Sequence, residues 1–533
     1  MEAQVRDALI GIVGATNVID DDVALEAAST ATYATEHRIT TIVRPADADQ
    51  VASVLRVAQA ESMAVYPVSA GKNWGYGSRT PANEAAVLLD LSGMDAIVAI
   101  DDELGTATVE PGVTFRQLAA TLAEQGNRWF LAVPGTTPDA SLIGNLVERG
   151  WGFGPYSDRF ATSCGFQVVL PDGEIIETGH ARFPGSRSAT NYRWGAGPST
   201  DGLFTQSNLG VVTRATIFLA PVPPHYASFL YHVDDEDRFE GLVDALRGLR
   251  MSGLLRTNFK VQNTYRMLME RERLPLVTDA DDAVLSDERL TDLKQQYGLG
   301  TWNGLGALYC WSDEQLRAEE AIVRAALEPW VDAIVFLDEH IIQDEAKLQA
   351  SIKADTGYDI SRLRDHYYDH TRMLGNVTGK GVHGAYWRMP ELAPDGQAYE
   401  ETDLDTDRVG FIWVDPIVPF TGHDLREAAA LAAAVQTKHG FEPNLGFNCV
   451  TERAVTMTLA LVYNREQPGS DDRAGACARE LAAAMQDAGF SLGRLTTLTM
   501  DMLDDADPGS RTMQAKIKAA LDPNHVLAPG RYE

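Results

Sequence analysis

The chain has 533 residues, of which 45% are hydrophobic and 23% charged, the composition of an ordinary globular protein rather than a disordered or fibrous one. Its formal net charge of −31 repels phosphate backbones and anionic membranes, so we expect neither nucleic acid nor a membrane as a partner. The four cysteines are widely spaced and no signal peptide precedes them, which predicts a cytoplasmic protein without disulfides or a bound metal.

The first 222 residues alternate short β-branched segments with helical patterns, which predicts mixed α and β structure. The predicted elements in chain order are a strand at 39–43, a helix at 47–61, strands at 64–68, 86–91 and 106–109, a helix at 114–126, a hairpin of 166–170 with 175–178, and a strand at 210–219.

Three closely spaced prolines, at positions 221, 223 and 224, mark the end of this first domain. A second domain over 223–500 begins with a predicted strand at 228–233 and an amphipathic helix at 238–249. The last segment, 501–533, has a predicted helix at 510–521 and then loop-like residues, and we expect it to return to the first domain.

A glycine-rich loop, Gly71-Lys72-Asn73-Trp74-Gly75-Tyr76-Gly77, follows the strand at 64–68 directly. Glycines let a backbone come close to a ligand, and consecutive N–H groups in such a turn can bind an anion such as a pyrophosphate. The spacing matches neither the GxxxxGK[ST] motif nor a GxGxxG motif that opens a helix. Taken alone, the loop is equally compatible with a tight structural turn.

Further stretches of small and hydroxyl residues could line a cofactor, at 134–145, 149–154 and 201–213. These stretches and the glycine loop occur in a recognisable order: PVSAGKNWGYG, EPGVTFRQL, ERGWGFGPYSDRF, CGFQVVLPDGEIIETG, DGLFTQSNLGVVT and DPNHVLAPGRY. In this order, and over nearly its whole length, the chain resembles the vanillyl-alcohol oxidase and 4-cresol dehydrogenase family of FAD-dependent flavoenzymes.

The resemblance implies a two-domain α+β fold. An FAD-binding domain of the p-cresol methylhydroxylase type, 1–222, is completed by 501–533, and a cap or substrate domain with an antiparallel sheet, 223–500, covers the isoalloxazine. The FAD contacts that it implies are Pro67, Ser69, Ala70, Gly71, Lys72, Asn73, Trp74, Pro134, Gly135, Ser141, Gly144, Asn145, Gly150, Tyr156, Cys164, Gly165, Gly210, Val211 and Arg531.

In this family two tyrosines and an arginine hold a phenolic substrate as its phenolate, which a phenol of pKa about 10 requires at neutral pH. Tyr76 matches the first tyrosine and Arg494 the arginine, but Gly493 stands at the second tyrosine. The family's acid near flavin N5 follows a Val-Pro pair, where this chain has Gly135. Asp139 is the nearby candidate to replace that acid, although a turn or capping role fits it equally well.

Some family members attach FAD covalently through a histidine or tyrosine on a cap strand. Phe411 aligns with that position and has no nucleophilic atom, so we predict non-covalent FAD. The resemblance also implies a substrate pocket lined by Tyr386, Trp387, Arg388, Phe411 and Trp413, although the first three fit a cap-domain core as well.

The function that the resemblance implies is an FAD-dependent oxidase or dehydrogenase. The enzyme would take hydride from a benzylic-type carbon of a phenolic or other aromatic alcohol, in natural-product tailoring or aromatic catabolism. O2 or an external electron carrier would reoxidise the flavin, and a homodimer is expected by analogy. Because the second tyrosine and the acid are missing, we expect a larger aromatic substrate with its own acidic group or hydroxyls.

Two alternatives remain open from the sequence. The first is an FAD oxidoreductase of the same fold that acts on a 2-hydroxy acid or a sugar alcohol. The second is a flavin-binding protein whose catalysis has decayed, which the loss of two family residues would suit.

Overall fold

The computed structural model describes residues 2–83, 87–271, 284–338, 370–377, 379–389, 391–392, 402–503 and 507–533. Its strands form a four-stranded, a five-stranded, a two-stranded and an eight-stranded sheet. In these residues no helix combines the length and apolar character that a membrane crossing requires. The boundaries of the two domains, at 222 and 500, remain predictions from the sequence.

The four-stranded sheet positions the glycine loop. Its strands are β1 (Val18–Ile19), β2 (Thr41–Val43), β3 (Val65–Val68) and β4 (Val87–Asp90). The order is β1-β2-β4-β3, and β4 runs parallel to both of its neighbours. Helices α1 (Ala3–Val13), α2 (Asp22–Ala28) and α3 (Ala48–Glu61) accompany it. The α3 helix begins after Asp47, whose carboxylate accepts a hydrogen bond from the Gln50 N–H, a standard N-cap.

The five-stranded sheet carries the other loops of the cofactor side. Its strands are β5 (Ile97–Asp101), β6 (Thr106–Val109), β8 (Ser163–Val169), β9 (Ile175–Glu177) and β10 (Val211–Phe218), in the order β5-β6-β10-β8-β9. Helices α4 (Phe115–Glu124) and α5 (Leu142–Val147) share a buried apolar core with it. Strands β7 (Trp129–Phe130) and β11 (Ala220–Pro221) form the two-stranded sheet.

The eight-stranded sheet belongs to the cap, and every strand pair in it is antiparallel. Its order is β15-β12-β14-β13-β17-β18-β16-β19. The strands are β12 (His225–Val233), β13 (Phe259–Asn263), β14 (Trp302–Cys310), β15 (Ala333–Asp338), β16 (Val409–Pro419), β17 (Leu445–Cys449), β18 (Ala454–Asn464) and β19 (Leu492–Arg494). The helices of this half are α6 (Phe239–Met251), α7 (Thr264–Arg271), α8 (Asp287–Tyr297), α9 (Asp313–Leu327), α10 (Gly422–Lys438) and α11 (Ser470–Asp487).

One continuous apolar core joins this sheet to α6, α9, α10 and α11. In β18, for example, Met457, Leu459 and Leu461 are completely buried in it. Burial of apolar surface on this scale is what holds the sheet rigid behind the cavity described below.

The C-terminal segment does return to the first half, as the sequence predicts. After α12 (Pro508–Leu521), the backbone of Val65 hydrogen-bonds to Val526 at 2.7 Å and to Ala528 at 2.8 Å. Lys518 and Asp522 form a buried ion pair at 2.8 Å that fixes this turn. The tail therefore forms one wall of the cavity beside β3.

Candidate active site

A cavity of about 360 Å3 lies between the two halves of the chain. The first half contributes loops at 66–74, 134–136, 140–151 and 204–212, and the tail contributes residues 527–531. The cap contributes residues from β13, α7, β16, β18 and β19, and Asn444 just before β17. A dinucleotide cofactor and a substrate could therefore share one continuous space.

The glycine loop is folded so that only glycine fits at its key positions. Gly75 has φ +81°, and a Cβ there would lie 2.4 Å from Trp413 Cδ1 of the cap. Gly77 has φ +120°, and a Cβ there would lie 2.6 Å from Thr497 Cγ2. Positive φ and missing space both exclude a side chain. The glycines therefore let the loop pack directly against the cap.

Backbone hydrogen bonds close this contact between loop and cap. The N–H of Trp413 donates to the carbonyl of Gly75 at 3.1 Å, and the N–H of Phe411 donates to the carbonyl of Thr32 at 2.9 Å. The N–H of Thr497 donates to the carbonyl of Tyr76 at 3.2 Å. Strand β16 is thus fixed beside the loop that carries Tyr76.

The first-half wall fits FAD, whose pyrophosphate needs close backbone approach. Gly144 packs so near the loop at 66–74 that a Cβ on it would lie 3.4 Å from the Ser69 side chain. Gly210 has no room either, because its Cβ would lie 2.5 Å from Val168. On the tail side, Arg531 donates a hydrogen bond to the Tyr66 hydroxyl at 2.6 Å. Small residues and exposed backbone make this wall a cradle for a long, thin ligand.

The substrate end of the cavity is marked by Tyr76 and Asp415. The Tyr76 hydroxyl donates to Oδ2 of Asp415, whereas Oδ1 of Asp415 is buried with no hydrogen-bond partner among the described residues. Burial raises the pKa of Asp415 from 3.8 to about 6, against the opposing effects of Tyr76 and two arginines. At neutral pH the carboxylate is therefore ionised and has one oxygen free to accept a proton.

Arg494 connects this pair to the cofactor wall. Its guanidinium carbon stacks 3.8 Å from the centre of the Tyr76 ring, a cation–π contact. The same guanidinium donates to Asn73 of the glycine loop and lies 3.4 Å from the carboxylate of Glu148. Glu148 is buried and also pairs with Arg531. The network holds Arg494 against Tyr76, and burial raises the pKa of Tyr76 well above its usual value, so that hydroxyl stays protonated.

A second charged cluster lines the cap side of the cavity. Arg266 binds Glu270 at 3.0 Å, and Lys260 lies 3.5 Å from the same carboxylate oxygen. Lys260 and Arg372 both lie over the ring of Phe153, at 4.8 and 3.9 Å from its centre. Lys260 and Arg372 are also buried, at 5% and 3% exposure. Among the described residues, this side of the cavity therefore brings Lys260, Arg266 and Arg372 together with the carboxylate of Glu270.

The comparisons with known proteins agree with this site. Residues 39–179 match the model of an FAD binding domain. The chain is 40% identical over 522 residues to a 1'-carboxy-chondrochloren decarboxylase from Chondromyces crocatus, covering 98% of this chain and 95% of the relative. It is 29% identical over 497 residues to the 4-cresol dehydrogenase [hydroxylating] flavoprotein subunit from Pseudomonas putida, covering 93% and 88% of the two chains. The chain belongs to the vanillyl-alcohol oxidase and p-cresol methylhydroxylase family.

A solved structure supports the same assignment. The fold superimposes on p-cresol methylhydroxylase with substrate bound, with a TM-score of 0.86, 27% identity and coverage of 99% of this chain and 96% of the other. The protein is therefore an FAD-dependent oxidoreductase with the two-domain α+β fold of this family, as the sequence predicts.

Most of the residues predicted from the sequence line the cavity. Tyr76, Arg494, Phe411 and Trp413 do so at the substrate end. The predicted cofactor residues that line it are Pro67, Ser69, Ala70, Gly71, Lys72, Asn73, Trp74, Pro134, Gly135, Ser141, Gly144, Asn145, Gly150, Gly210, Val211 and Arg531.

The structure places other predicted residues outside the cavity lining. Asp139 is 39% exposed and forms a salt bridge with Arg116 at 2.8 Å, so it does not replace the missing acid. Tyr156 is 39% exposed, whereas Cys164 is completely buried in β8 beside Gly165. Large and sulfur-bearing side chains in these stretches serve packing or the surface instead.

The Tyr386-Trp387-Arg388 stretch packs into the cap rather than lining the cavity. Tyr386 and Trp387 are each 1% exposed, and the Tyr386 hydroxyl donates to Asp407. Arg388 pairs with the buried carboxylate of Glu442. The Tyr386 hydroxyl and the Arg388 guanidinium are used within the cap, and the residues just before them, Val382, Gly384 and Ala385, line the cavity.

Five charged residues that line the cavity were not predicted from the sequence, namely Asp415, Glu148, Lys260, Arg266 and Arg372. Asp415 precedes a proline on a predicted strand, where a turn role is the ordinary interpretation. One signal could have found it, since a single aspartate in the apolar strand GFIWVDPIVP is unusual unless it is paired or functional.

Proposed function

We propose that this enzyme oxidises a phenolic substrate at a benzylic-type carbon, with Asp415 as the group that accepts the phenol proton. The single observation behind the proposal is the buried Tyr76–Asp415 pair, in which Oδ1 of Asp415 has no partner among the described residues. FAD supplies a hydride acceptor when it is bound. The side chains of the cavity then have to orient the phenol and remove its proton.

The charges around Asp415 suit this task. In water, moving a proton from a phenol of pKa about 10 to a carboxylate of pKa about 6 is uphill by about 5 kcal/mol. The positive charges of Arg494 and Arg266 both act on Asp415 and favour a phenolate beside it. Loss of hydride withdraws electrons from the ring, so the phenol becomes far more acidic as oxidation proceeds. Proton and hydride therefore leave together rather than in two costly steps.

The same geometry supports Asp415 as the replacement for the second tyrosine. A Cβ on Gly493 would lie 2.5 Å from Ile417 Cδ1, so a larger side chain at that position would require Ile417 to move. Asp415 is the Cα partner of Arg494 across the β16–β19 pair, which brings its carboxylate to the same end of the cavity. Where the family has a second tyrosine that donates a hydrogen bond to the phenolate, this chain therefore has, in our proposal, a carboxylate that accepts the phenol proton.

The relative named as a decarboxylase supports a substrate that carries a carboxyl group. A carboxylated substrate also agrees with the cationic side chains of Lys260, Arg266 and Arg372, which line the cap side of the cavity. The cationic wall likewise favours a second candidate, oxidation of a 2-hydroxy acid, because such acids are also anions. That reaction also needs a base, but the similarity to a 4-cresol dehydrogenase flavoprotein subunit over 93% of this chain favours a phenol and places the 2-hydroxy acid second.

The two candidates differ in which compounds bleach the flavin. Anaerobic protein is mixed with 4-ethylphenol, with 3-(4-hydroxyphenyl)propanoate and with a series of 2-hydroxy acids, while flavin absorbance is followed. We expect bleaching by the phenols alone. Bleaching by hydroxy acids without phenols would contradict the proposal, and bleaching by none of these compounds would leave the decayed flavin-binding protein as the better description.

We further propose that O2 or an external carrier reoxidises the flavin, and that the enzyme is a cytoplasmic homodimer. All four cysteines are buried and free, which supports a reducing compartment. Hydrogen peroxide formation in air, measured beside reduction of a cytochrome, separates the two acceptors. Sedimentation analysis gives the oligomeric state, and a monomer would contradict the homodimer.

A further inference from the structure

A short segment of the cap crosses the glycine loop and binds it near both ends. Residues 402–408, which we call the strap, lead directly into β16. Lys72 donates to Oδ2 of Asp403 at 2.5 Å, and the Ser78 hydroxyl donates to Oδ1 of Asp405 at 2.7 Å. Lys72 is the second residue of the glycine loop, and Ser78 directly follows its last residue. The strap therefore spans the loop.

The strap is ordered by hydrogen bonds of its own. The two oxygens of the Asp403 carboxylate have different partners, because Oδ2 accepts from Lys72 whereas Oδ1 accepts from the N–H of Asp405 at 3.1 Å. The N–H of Asp407 donates to the carbonyl of Asp403 at 3.0 Å, and the Asp407 carboxylate accepts from the Tyr386 hydroxyl of the cap. The turn is thus attached to the cap at Asp407 and presents Asp403 and Asp405 to the glycine loop.

An apolar contact accompanies these polar ones. Leu404 is 1% exposed and belongs to the same buried cluster as Trp74 of the glycine loop and Phe411 of β16. Leu404 and Trp74 both line the cavity, and the Lys72 ammonium lies 5.4 Å from the centre of the Trp74 ring. The strap is therefore part of the cavity wall, together with the loop that it binds.

The charges of the strap suit this contact. Burial alone would raise the pKa of Asp403, but the hydrogen bond and the charge of Lys72 hold it below its usual value. Burial raises the pKa of Asp405 to about 7, with Asp403 acting in the same direction and Ser78, Arg79 and Lys72 acting against it. The contact therefore depends on an ion pair at Asp403 and on a hydroxyl donor at Asp405.

We propose that the strap holds the cap closed on the FAD site and limits the rate at which FAD leaves, with Asp403 and Asp405 as positioning residues of the glycine loop. The cavity lies between the two halves of the chain, so their separation opens a path for the cofactor. Phe411 cannot provide a covalent bond, so retention of FAD depends on contacts of this kind. The strap has this role whichever substrate the enzyme oxidises.

A different role for Lys72 makes the opposite prediction. If Lys72 served mainly as a positive charge for the FAD pyrophosphate, Asp403 would compete with the phosphates for its ammonium, and removal of that carboxylate would slow the release of FAD. If Asp403 acts through the strap, removal of the same carboxylate speeds the release. The sign of the effect separates the two roles.

The first test measures the release of FAD from the holoenzyme by the fluorescence of free flavin after dilution. We expect Asp403→Asn to release FAD about tenfold faster than wild type, the loss expected for one charge-assisted hydrogen bond. The double variant Lys72→Met/Asp403→Asn should stay within about threefold of Asp403→Asn, because both changes break one contact. Asp313→Asn is the matched control, since its carboxylate pairs with the exposed Arg317 on α9. Unchanged or slower release from Asp403→Asn would overturn the proposal.

The second test concerns the bond between Ser78 and Asp405. Asp405→Ala removes the acceptor, and we expect it to release FAD about tenfold faster than wild type. Asp405→Asn keeps an oxygen for the Ser78 hydroxyl and removes the cost of a buried charge, so its release at about pH 8 should be no faster than that of wild type. Equally fast release from both variants would overturn the role of this bond.

Hydrogen exchange of the glycine loop decides the question without release of FAD. The amide protons of residues 71–78 are followed by mass spectrometry in the wild-type and Asp403→Asn holoenzymes. We expect roughly fivefold faster exchange of this segment in the variant, with the exchange of α9 unchanged. Exchange of the loop at the wild-type rate would overturn the proposal, even if FAD were attached covalently or the Asp405 variants did not fold.

Discussion

The two walls of the cavity are built by different means. On the cofactor side, consecutive residues of a few loops form the wall, including Gly71 and Gly144, whereas Gly75 and Gly77 let the glycine loop pack against the cap. On the cap side, side chains that are scattered along the sequence project from four strands of an antiparallel sheet, β13, β16, β18 and β19, and from helix α7. The cofactor wall depends on local backbone shape, whereas the cap wall depends on where a few charges are placed. Binding of FAD and the choice of substrate should therefore respond to different mutations.

The largest effect is expected on the FAD content of the protein, from a substitution in the glycine loop, which lies between the two walls. Gly75→Val places a branched side chain at φ +81° and 2.4 Å from Trp413, which has no space for it. We expect the loop to separate from β16 and the purified protein to lose most of its FAD. The flavin-to-protein absorbance ratio measures this directly. Gly93→Ala is the control, because no atom lies within 4 Å of its added Cβ, and a Gly75→Val protein with full flavin content would refute the role of the loop.

The next largest effect concerns how the rate of flavin reduction depends on pH. We expect Asp415, on the cap wall, to set this dependence. Because Asp415 has a pKa of about 6, it is a proton acceptor only above that pH. We expect the rate of flavin reduction by a phenol to fall about tenfold per pH unit below pH 6. Flavin content should not change over the same range. A rate independent of pH from 5 to 8 would exclude Asp415 as the acceptor.

A smaller effect is expected on the free energy of unfolding when Asp415 is replaced, and its sign follows from the pKa of this carboxyl group. The raised pKa means that the folded state of Asp415 disfavours the charged form, so protonation stabilises the fold as the pH falls from 6 to 4. Asp415→Asn removes this penalty. We expect the variant to be roughly 2–3 kcal/mol more stable than wild type at pH 7.5, with the difference vanishing near pH 4. Urea unfolding at the two pH values measures it, and a difference of opposite sign would contradict the burial of this carboxylate.

The prediction with the smallest expected effect concerns how FAD is attached. Phe411 lines the cavity and has no nucleophilic atom, so it cannot form a covalent bond to the cofactor. Acid precipitation should release the yellow colour into the supernatant because FAD is held without a covalent bond. Colour that stays with the pellet would contradict this prediction.

The difference between the two walls also explains how far the sequence could lead. The cofactor wall was predictable because its residues are consecutive, and the glycine loop, Ser141 and the returning tail all lie where the sequence predicts. Tyr76 and Arg494 were predictable only by resemblance to a family. Arg372 and Lys260 are 112 positions apart in the chain, and both lie over the Phe153 ring through tertiary packing that no local sequence pattern predicts.

Asp139 shows the converse case. It is the acid near the expected position in the sequence, but its carboxylate pairs with Arg116 outside the cavity lining. The acid that we propose instead, Asp415, lies on a strand far away in the chain and reaches Tyr76 because β16 packs against the glycine loop. Proximity in sequence was a poor guide where strands from distant segments converge.

The central claim is that Asp415 accepts the phenol proton, and one measurement tests it most directly. Anaerobic stopped-flow reduction of the bound flavin by 4-ethylphenol is compared at pH 7.5 between wild type, Asp415→Asn and the matched variant Asp139→Asn, all at full flavin content. The account predicts that Asp415→Asn is slower by 10²- to 10⁴-fold, the usual contribution of a general base, while Asp139→Asn remains within twofold of wild type. Reduction by Asp415→Asn at the wild-type rate would contradict it.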